Sequence, residues 1–348
     1  MTVDLESIHR RAPVVGELPG EPVPYLMPSG EGRRYEIGRQ LWTVVARSAD
    51  SGGEFDAAFV LGPRGSGAPF HMVERQRSFY VFDGAIQFWI PGESRVLGPG
   101  DSIHVPAGTP VAYRFLHHMS RFLVYSAPGG SLDELYDSGS DVAARIYSAE
   151  HVADEDRGSL PPGWLPVDAP YVDASDVWDE TLPAITQAYF QRAHTGDHRA
   201  WPDAINTFSA RGVTTDRRYF SVTTLGNRQP YIPAHFHRLH TENFFCLSGR
   251  IWLWVNGTEV LLTPGDFVHA PAGTIHSYAL GAHNTRMLGV LTGDVFEPFF
   301  DRTGEPTTDS VYTEGLVNPA TLFEKLGQIS DLDVEMVGPP PTSAYGHL

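Results

Sequence analysis

The stretch PAHFHRLHTENFF, Pro233 to Phe245, gathers three histidines, a glutamate and an aromatic pair. His235 and His237 stand two apart, and Glu242 follows five residues later. In an extended strand, residues i and i+2 face the same side, so both imidazoles point one way. A turn at His240-Thr241 then swings Glu242 to join them. A fourth donor must come from elsewhere, and His276, just after PAGTI, is placed for it. Three imidazoles and a carboxylate suit a divalent transition metal that keeps open coordination positions. The ion also gives a buried carboxylate the partner without which its burial is costly. His235, His237, Glu242 and His276 are therefore the candidate metal ligands. His240 reads as a solvent-facing or supporting group of the same turn.

Outward from this stretch, the chain repeats itself. Asn243–Leu280 aligns without a gap on Ser78–Phe115. Gly84 falls on Gly249, Trp89 on Trp254, Pro99-Gly100-Asp101 on Pro264-Gly265-Asp266, and Pro106-Ala107-Gly108-Thr109 on Pro271-Ala272-Gly273-Thr274. Such self-similarity marks a duplicated domain. Extending the register sets Phe70 opposite His235, Met72 opposite His237, Arg77 opposite Glu242 and Val111 opposite His276. All four ligands are then missing from the first half, and His71 stands out of phase. His104 and His269 occur in both halves and read as structural.

The repeated segments are rich in aromatic and β-branched residues and are punctuated by turn signals, Asn256-Gly257 above all. They predict a mainly β protein of two tandem antiparallel barrels with short flanking helices. Helices are expected within 131–152 and 318–330. The domains are expected at 1–160 and 161–348. An acidic, proline-rich linker is expected at about 155–185, and a mobile tail from Val337. Tyr25 and Tyr189 lie in matching entry segments.

The formal charge of −17 argues against nucleic acid or an anionic membrane surface as partner. No apolar run approaches the length of a membrane span, and the first residues lack the pattern of a signal peptide. Cys246 is the single cysteine, which fits a reducing, cytoplasmic setting. Lys325 is the single lysine, so Schiff-base chemistry has one poor candidate.

HFHRLHTENFFCLSG resembles cupin motif one, with His235, His237, Glu242 and Gly249 in register. GDFVHAPAGTIH resembles motif two, with Gly265, Pro271, Gly273 and His276 in register. The leading glycine of the first motif and the terminal asparagine of the second are absent. The double cupin, ENFFCLSGRIWLWVNG and DVFEPFFDRTGEP together resemble the flavonol 2,4-dioxygenases, the quercetinases. Fungal members keep their metal in the first barrel, whereas here the intact motif lies in the second. The resemblance implies one divalent transition metal per chain, with iron, manganese, cobalt, nickel and copper all admitted. It implies a small aromatic substrate, O2 as co-substrate, Glu242 as catalytic base and, since cupins often dimerise, a homodimer. A flat substrate needs an aromatic pocket, for which Phe236, Phe244, Trp252, Trp254 and Tyr278 are candidates, with Phe245 nearby. Which face of Trp252 and Trp254 turns inward is open. An oxygenase acting on a polyketide or other polyphenol, a non-oxidative decarboxylase or isomerase using Arg238 or Arg250, and a non-catalytic binding cupin are the alternatives.

Overall fold

Alternating apolar residues decide which way each strand faces. In Ile251–Val255 the side chains of Ile251, Leu253 and Val255 are fully buried, while Trp252 and Trp254 are half-exposed on the outer face. The structure, a computed structural model, describes residues 5–138, 140–147 and 159–344. Its chain forms two compact units, each built from two sheets.

The first unit is Gly30–Thr195. Its seven-stranded sheet runs Tyr189–Gln191, Ser102–Val105, Arg77–Asp83, Ser120–Ser126, Asp56–Gly62, Gln40–Ala46 and Arg33–Ile37. Its five-stranded sheet runs Leu165–Pro166, Gly67–Met72, Val111–Phe115, Ile86–Ile90 and Glu93–Leu97. Aromatic rings join the two: Phe122 of the first sheet lies 4.9 Å from Tyr113 and 5.8 Å from Phe88 of the second, centroid to centroid.

The second unit is Met1–Ser29 with Gly196–Leu348. Its nine-stranded sheet begins Val14–Val15, Tyr25–Met27, Phe267–Ala270, Glu242–Ser248, Thr285–Thr292, and continues through Tyr219–Gly226, Ala204–Ala210, Asp197–Ala200 and Glu305–Thr307. Facing it are Thr258–Leu262, Ile251–Val255, His276–Leu280, Ala234–Phe236 and Glu335–Gly338. The core between them includes Leu26, Phe244, Ile251, Leu253, Val268 and Met287.

The expected division at 160/161 is therefore shifted. Each entry segment pairs with the sheet of the other half of the chain. Tyr25 sits opposite His269 and Tyr189 opposite His104. The two repeated histidines are the anchors: both are buried, with His269 Nδ1 2.8 Å from Asn243 Oδ1 and its ring 5.2 Å from that of Tyr25. The expected linker is likewise fastened down over its described part. Leu165–Pro166 pairs with Gly67–Met72, the Trp89 indole donates to Val172 O at 2.8 Å, and Ser175 N donates to Ser94 O at 3.0 Å. Residues 155–158 lie outside the described residues.

The expected first helix is confined to Asp133–Asp137; Ser140–Tyr147 is not helical, and the rest of the stretch, 139 and 148–152, is outside the described residues. The second is observed as Pro319–Leu326. Val337 belongs to a strand paired with Ala234–Phe236, so the described part of the tail is held; 345–348 are outside the description. Asn256 and Gly257 take φ of +44° and +90°, as a two-residue hairpin turn requires. Gly249 has φ +79°, and a Cβ there would meet Thr285 Oγ1 at 2.4 Å, which explains the glycine that closes motif one. No helix among the described residues is long and apolar enough to cross a membrane.

Candidate metal centre

Three strands and one turn carry the ligand candidates. His235 and His276 are direct cross-strand partners. His237 follows the same strand, and its carbonyl accepts from Gly273 N at 2.7 Å. Glu242 opens the strand Glu242–Ser248 on the facing sheet. All four are buried.

Every imidazole of this group is held by Nδ1. His235 Nδ1 donates to Pro233 O at 2.9 Å, His276 Nδ1 to Thr274 O at 2.9 Å, and His237 Nδ1 to Asp333 O. Each Nε2 therefore carries its lone pair inward. The ligand atoms of His235, His237 and His276 lie within 4.8 Å of one another. Glu242 Oε2 is 2.8 Å from His276 Nε2, without the alignment of a hydrogen bond, and Oε1 is 3.6 Å from His237 Nε2. Lone pairs that close, in a site shielded from water, call for a cation. Burial, then His276, lowers the His235 imidazolium to about 4; burial, then His240, holds His237 well below its ordinary value. Burial alone would raise Glu242, but His237 and the contacts of His240 and His276 outweigh it and hold the carboxyl well below its usual range. Neutral imidazoles beside an ionised carboxylate are the protonation states that metal binding needs. The donor set fits a divalent transition ion.

One residue here, Asp333, escaped the sequence reading, and the choice left open for His240 is decided. His240 is buried rather than solvent-facing, with Nδ1 2.7 Å from Asp333 Oδ2. Asp333 lies far along the chain, and neither spacing nor motif marks it. It reaches the site because Glu335–Gly338 pairs with the strand of His235.

A cavity of about 250 Å³ opens onto Glu242, His235 and His276. Of the expected pocket residues, Phe244 and Tyr278 line it; Phe236, Trp252 and Trp254 do not. Phe236 packs on His9, and the two tryptophans face outward because Ile251, Leu253 and Val255 fill the core side. Phe245 stacks on Phe267 across the other face of its strand. The aromatic wall comes instead from Phe296, Phe299, Phe300, Trp201 and Tyr231, with Asp203 the one further carboxylate. Asp203 Oδ1 is buried without a partner, and burial raises its pKa.

The first unit departs from the gapless register. His71, not Phe70, pairs with Val111 as His235 pairs with His276. Gly108 N donates to Val73 O at 2.8 Å as Gly273 N does to His237 O. The motif-one turn is one residue shorter there, 74–76 against 238–241, so the alignment slips inside it. His71 thus occupies the place of His235, with Val73, Arg77 and Val111 at the other three. The Trp164 ring stacks on His71 at 4.6 Å, and the Arg77 guanidinium lies 4.5 Å from that ring.

The cupin domain model matches residues 58–123 and 222–290. Quercetin 2,3-dioxygenase of Bacillus subtilis is 33% identical over 337 residues, covering 92% of this chain and 98% of that protein. Quercetin 2,3-dioxygenase of Aspergillus japonicus is 30% identical over 134 residues, covering 32% and 38%. Among solved structures, a single-site variant of oxalate decarboxylase from B. subtilis superposes with a TM-score of 0.54 at 14% identity, covering 82% of this chain and 79% of that one. That last likeness is one of fold alone. With two cupin domains and this identity across nearly its whole length, the chain belongs to the cupins, as a bicupin of the quercetin-dioxygenase type.

Proposed function

We propose that this protein is a metal-dependent dioxygenase of quercetinase type, which cleaves the ring of a flavonol or a related aromatic enol or phenol with O2. The observation that carries this reading is the cavity: an apolar, aromatic chamber whose wall holds Glu242, His235 and His276 together. His235, His237, Glu242 and His276 would hold one divalent ion per chain, all in the second barrel. Such an ion, when bound, lowers the pKa of a substrate hydroxyl and supplies the redox-active centre for O2.

The remaining steps belong to the chain. Phe296, stacked on both Phe299 at 4.6 Å and His240 at 4.9 Å, is fixed in the cavity wall, and with Phe299 gives an aromatic surface to a substrate ring. Glu242, ionised and inside the apolar chamber, takes the proton of the substrate hydroxyl. Asp203, with its unpartnered Oδ1, accepts a second hydroxyl of a polyphenol. The apolar walls exclude water from the charged intermediate.

Chemistry on a small carboxylic acid would need a cation in the chamber. Its described lining contains neither arginine nor lysine, and Arg238 is turned to Glu335 at the surface. The relatives named quercetin 2,3-dioxygenase support the same choice. The deciding experiment is metal analysis after anaerobic purification, followed by O2 uptake with a panel of flavonols, polyketides and other polyphenols. Uptake with a flavonol supports the reading. Its absence from a fully metallated sample across the panel overturns it.

A further inference from the structure

Four buried imidazoles gather at this centre. Three follow the ligand pattern already described; the fourth, His240, is only 1% exposed. Its Nδ1 donates to Asp333 Oδ2 at 2.7 Å, so its Nε2 presents a lone pair. That Nε2 has no hydrogen-bond partner and lies 3.7 Å from Glu242 Oε1. A buried lone pair aimed at a carboxylate is destabilising unless a second ring proton or a metal cation joins them.

The ring is held in that direction. Phe296 stacks on it at 4.9 Å and 20°. Asp333 accepts from Arg238 N and Leu239 N, each at 2.9 Å, so the carboxylate that orients His240 is itself fixed. A carboxylate on the far nitrogen is how proteins orient histidines that ligate metal. The ligand atoms of His237, His240 and Glu242 lie within 4.8 Å of one another, just as those of His235, His237 and His276 do. His237 is common to both sets, and Glu242 also touches His276 at 2.8 Å.

We propose that His240 is a further metal donor, so that a divalent transition ion has two overlapping positions: one on His235, His237 and His276, the other on His237, His240 and Glu242. This rests on the metal-site reading above. The bland alternative is that Asp333 and His240 merely tie the C-terminal segment to the turn 238–241.

The test is a titration of metal-free protein with Co(II) and Cu(II), followed by affinity, Co(II) visible absorption and the nitrogen couplings of Cu(II) EPR. His240→Gln is expected to change both spectra and to lower affinity by about tenfold or more. Asp333→Asn, which keeps size but loosens the orienting charge, is expected to shift the Co(II) spectrum in the same direction. His276→Ala is expected to keep one ion with reduced affinity, and His276→Ala combined with His240→Gln to keep none. Melting of each metal-free variant separates a lost donor from a lost fold. The proposal fails if His240→Gln lowers only the melting temperature and leaves spectra and affinity unchanged. It also fails if His276→Ala loses the ion as completely as the double variant. Failure of the wild-type protein to bind either ion would refute the underlying metal reading as well.

Discussion

Leu253 and Trp252 are neighbours in the chain and face opposite ways. Leu253 is fully buried in the core of the second barrel; Trp252 lies outside it, against Gly281. Leu253→Ala is expected to cost about 2–5 kcal/mol, since a deleted buried side chain loses both transfer energy and packing. Trp252→Ala should cost less and leave substrate affinity unchanged. Thermal melting and KM for the best substrate check both. At the site, Glu242→Gln keeps shape but cannot accept a proton. A positioned general base contributes roughly 10²–10⁴-fold, so kcat should fall by that order at saturating metal while substrate still binds. Near-normal turnover would leave Glu242 a ligand and no base. His71→Ala, in the first barrel, should leave metal content unchanged, because Val73, Arg77 and Val111 stand where its fellow ligands would be. Elemental analysis of that variant reads the outcome directly.

The element that most shapes the cavity is the helix Glu297–Thr303, which with Phe296 supplies three aromatic walls. Its seven residues would not be helical alone, since short helices depend on tertiary contacts. Arg211 supplies the anchor. Its guanidinium donates to Glu297 Oε1 at 2.8 Å and to Asp301 at 2.9 Å, and it stacks over the Phe208 ring at 3.7 Å. Glu297 Oε2 also accepts from Gly212 N. Burial opposes the charge on Arg211, but the carboxylates of Asp301 and Glu297 outweigh it and raise its pKa. Arg211→Met is expected to destabilise by about 2 kcal/mol, the scale of hydrogen bonds to charged groups. It should raise KM more than it lowers kcat, because it frees the wall and leaves the ligands in place. Equal effects on both constants would mean that the helix acts on the chemistry itself.

Across the whole molecule, the reciprocal placement of the entry strands governs which pieces can stand alone. Tyr25 is fully buried and Leu26 belongs to the core of the second barrel. A fragment 161–348, the domain that the sequence suggests, lacks both and leaves the strand Phe267–Ala270 with an open edge. Such edges promote association between chains. This fragment is expected to aggregate and to bind metal poorly, which size-exclusion chromatography and metal analysis would show. The same segment joined to residues 1–29 should do better. Equal behaviour of the two would mean that the exchanged strand adds no stability.

What was legible and what was not divide along one physical line. Strand alternation, turn residues and the spacing of His235, His237 and Glu242 are local, and the chain repeats them, so the β fold, the duplication and the four candidate ligands could be read from residues alone. The slip at His71 was hidden because a one-residue difference in a turn leaves the flanking repeat unbroken. The inward face of Ile251–Val255 was undecided because both faces are apolar, and only packing against Phe244 and Met287 chooses between them. Asp333, Asp203 and the Phe296–Phe300 wall come from segments distant in sequence, and no local pattern encodes which distant segment closes a cavity. The exchange of entry strands is of the same kind: pairing with either half satisfies the same backbone groups, and the tertiary structure made the choice.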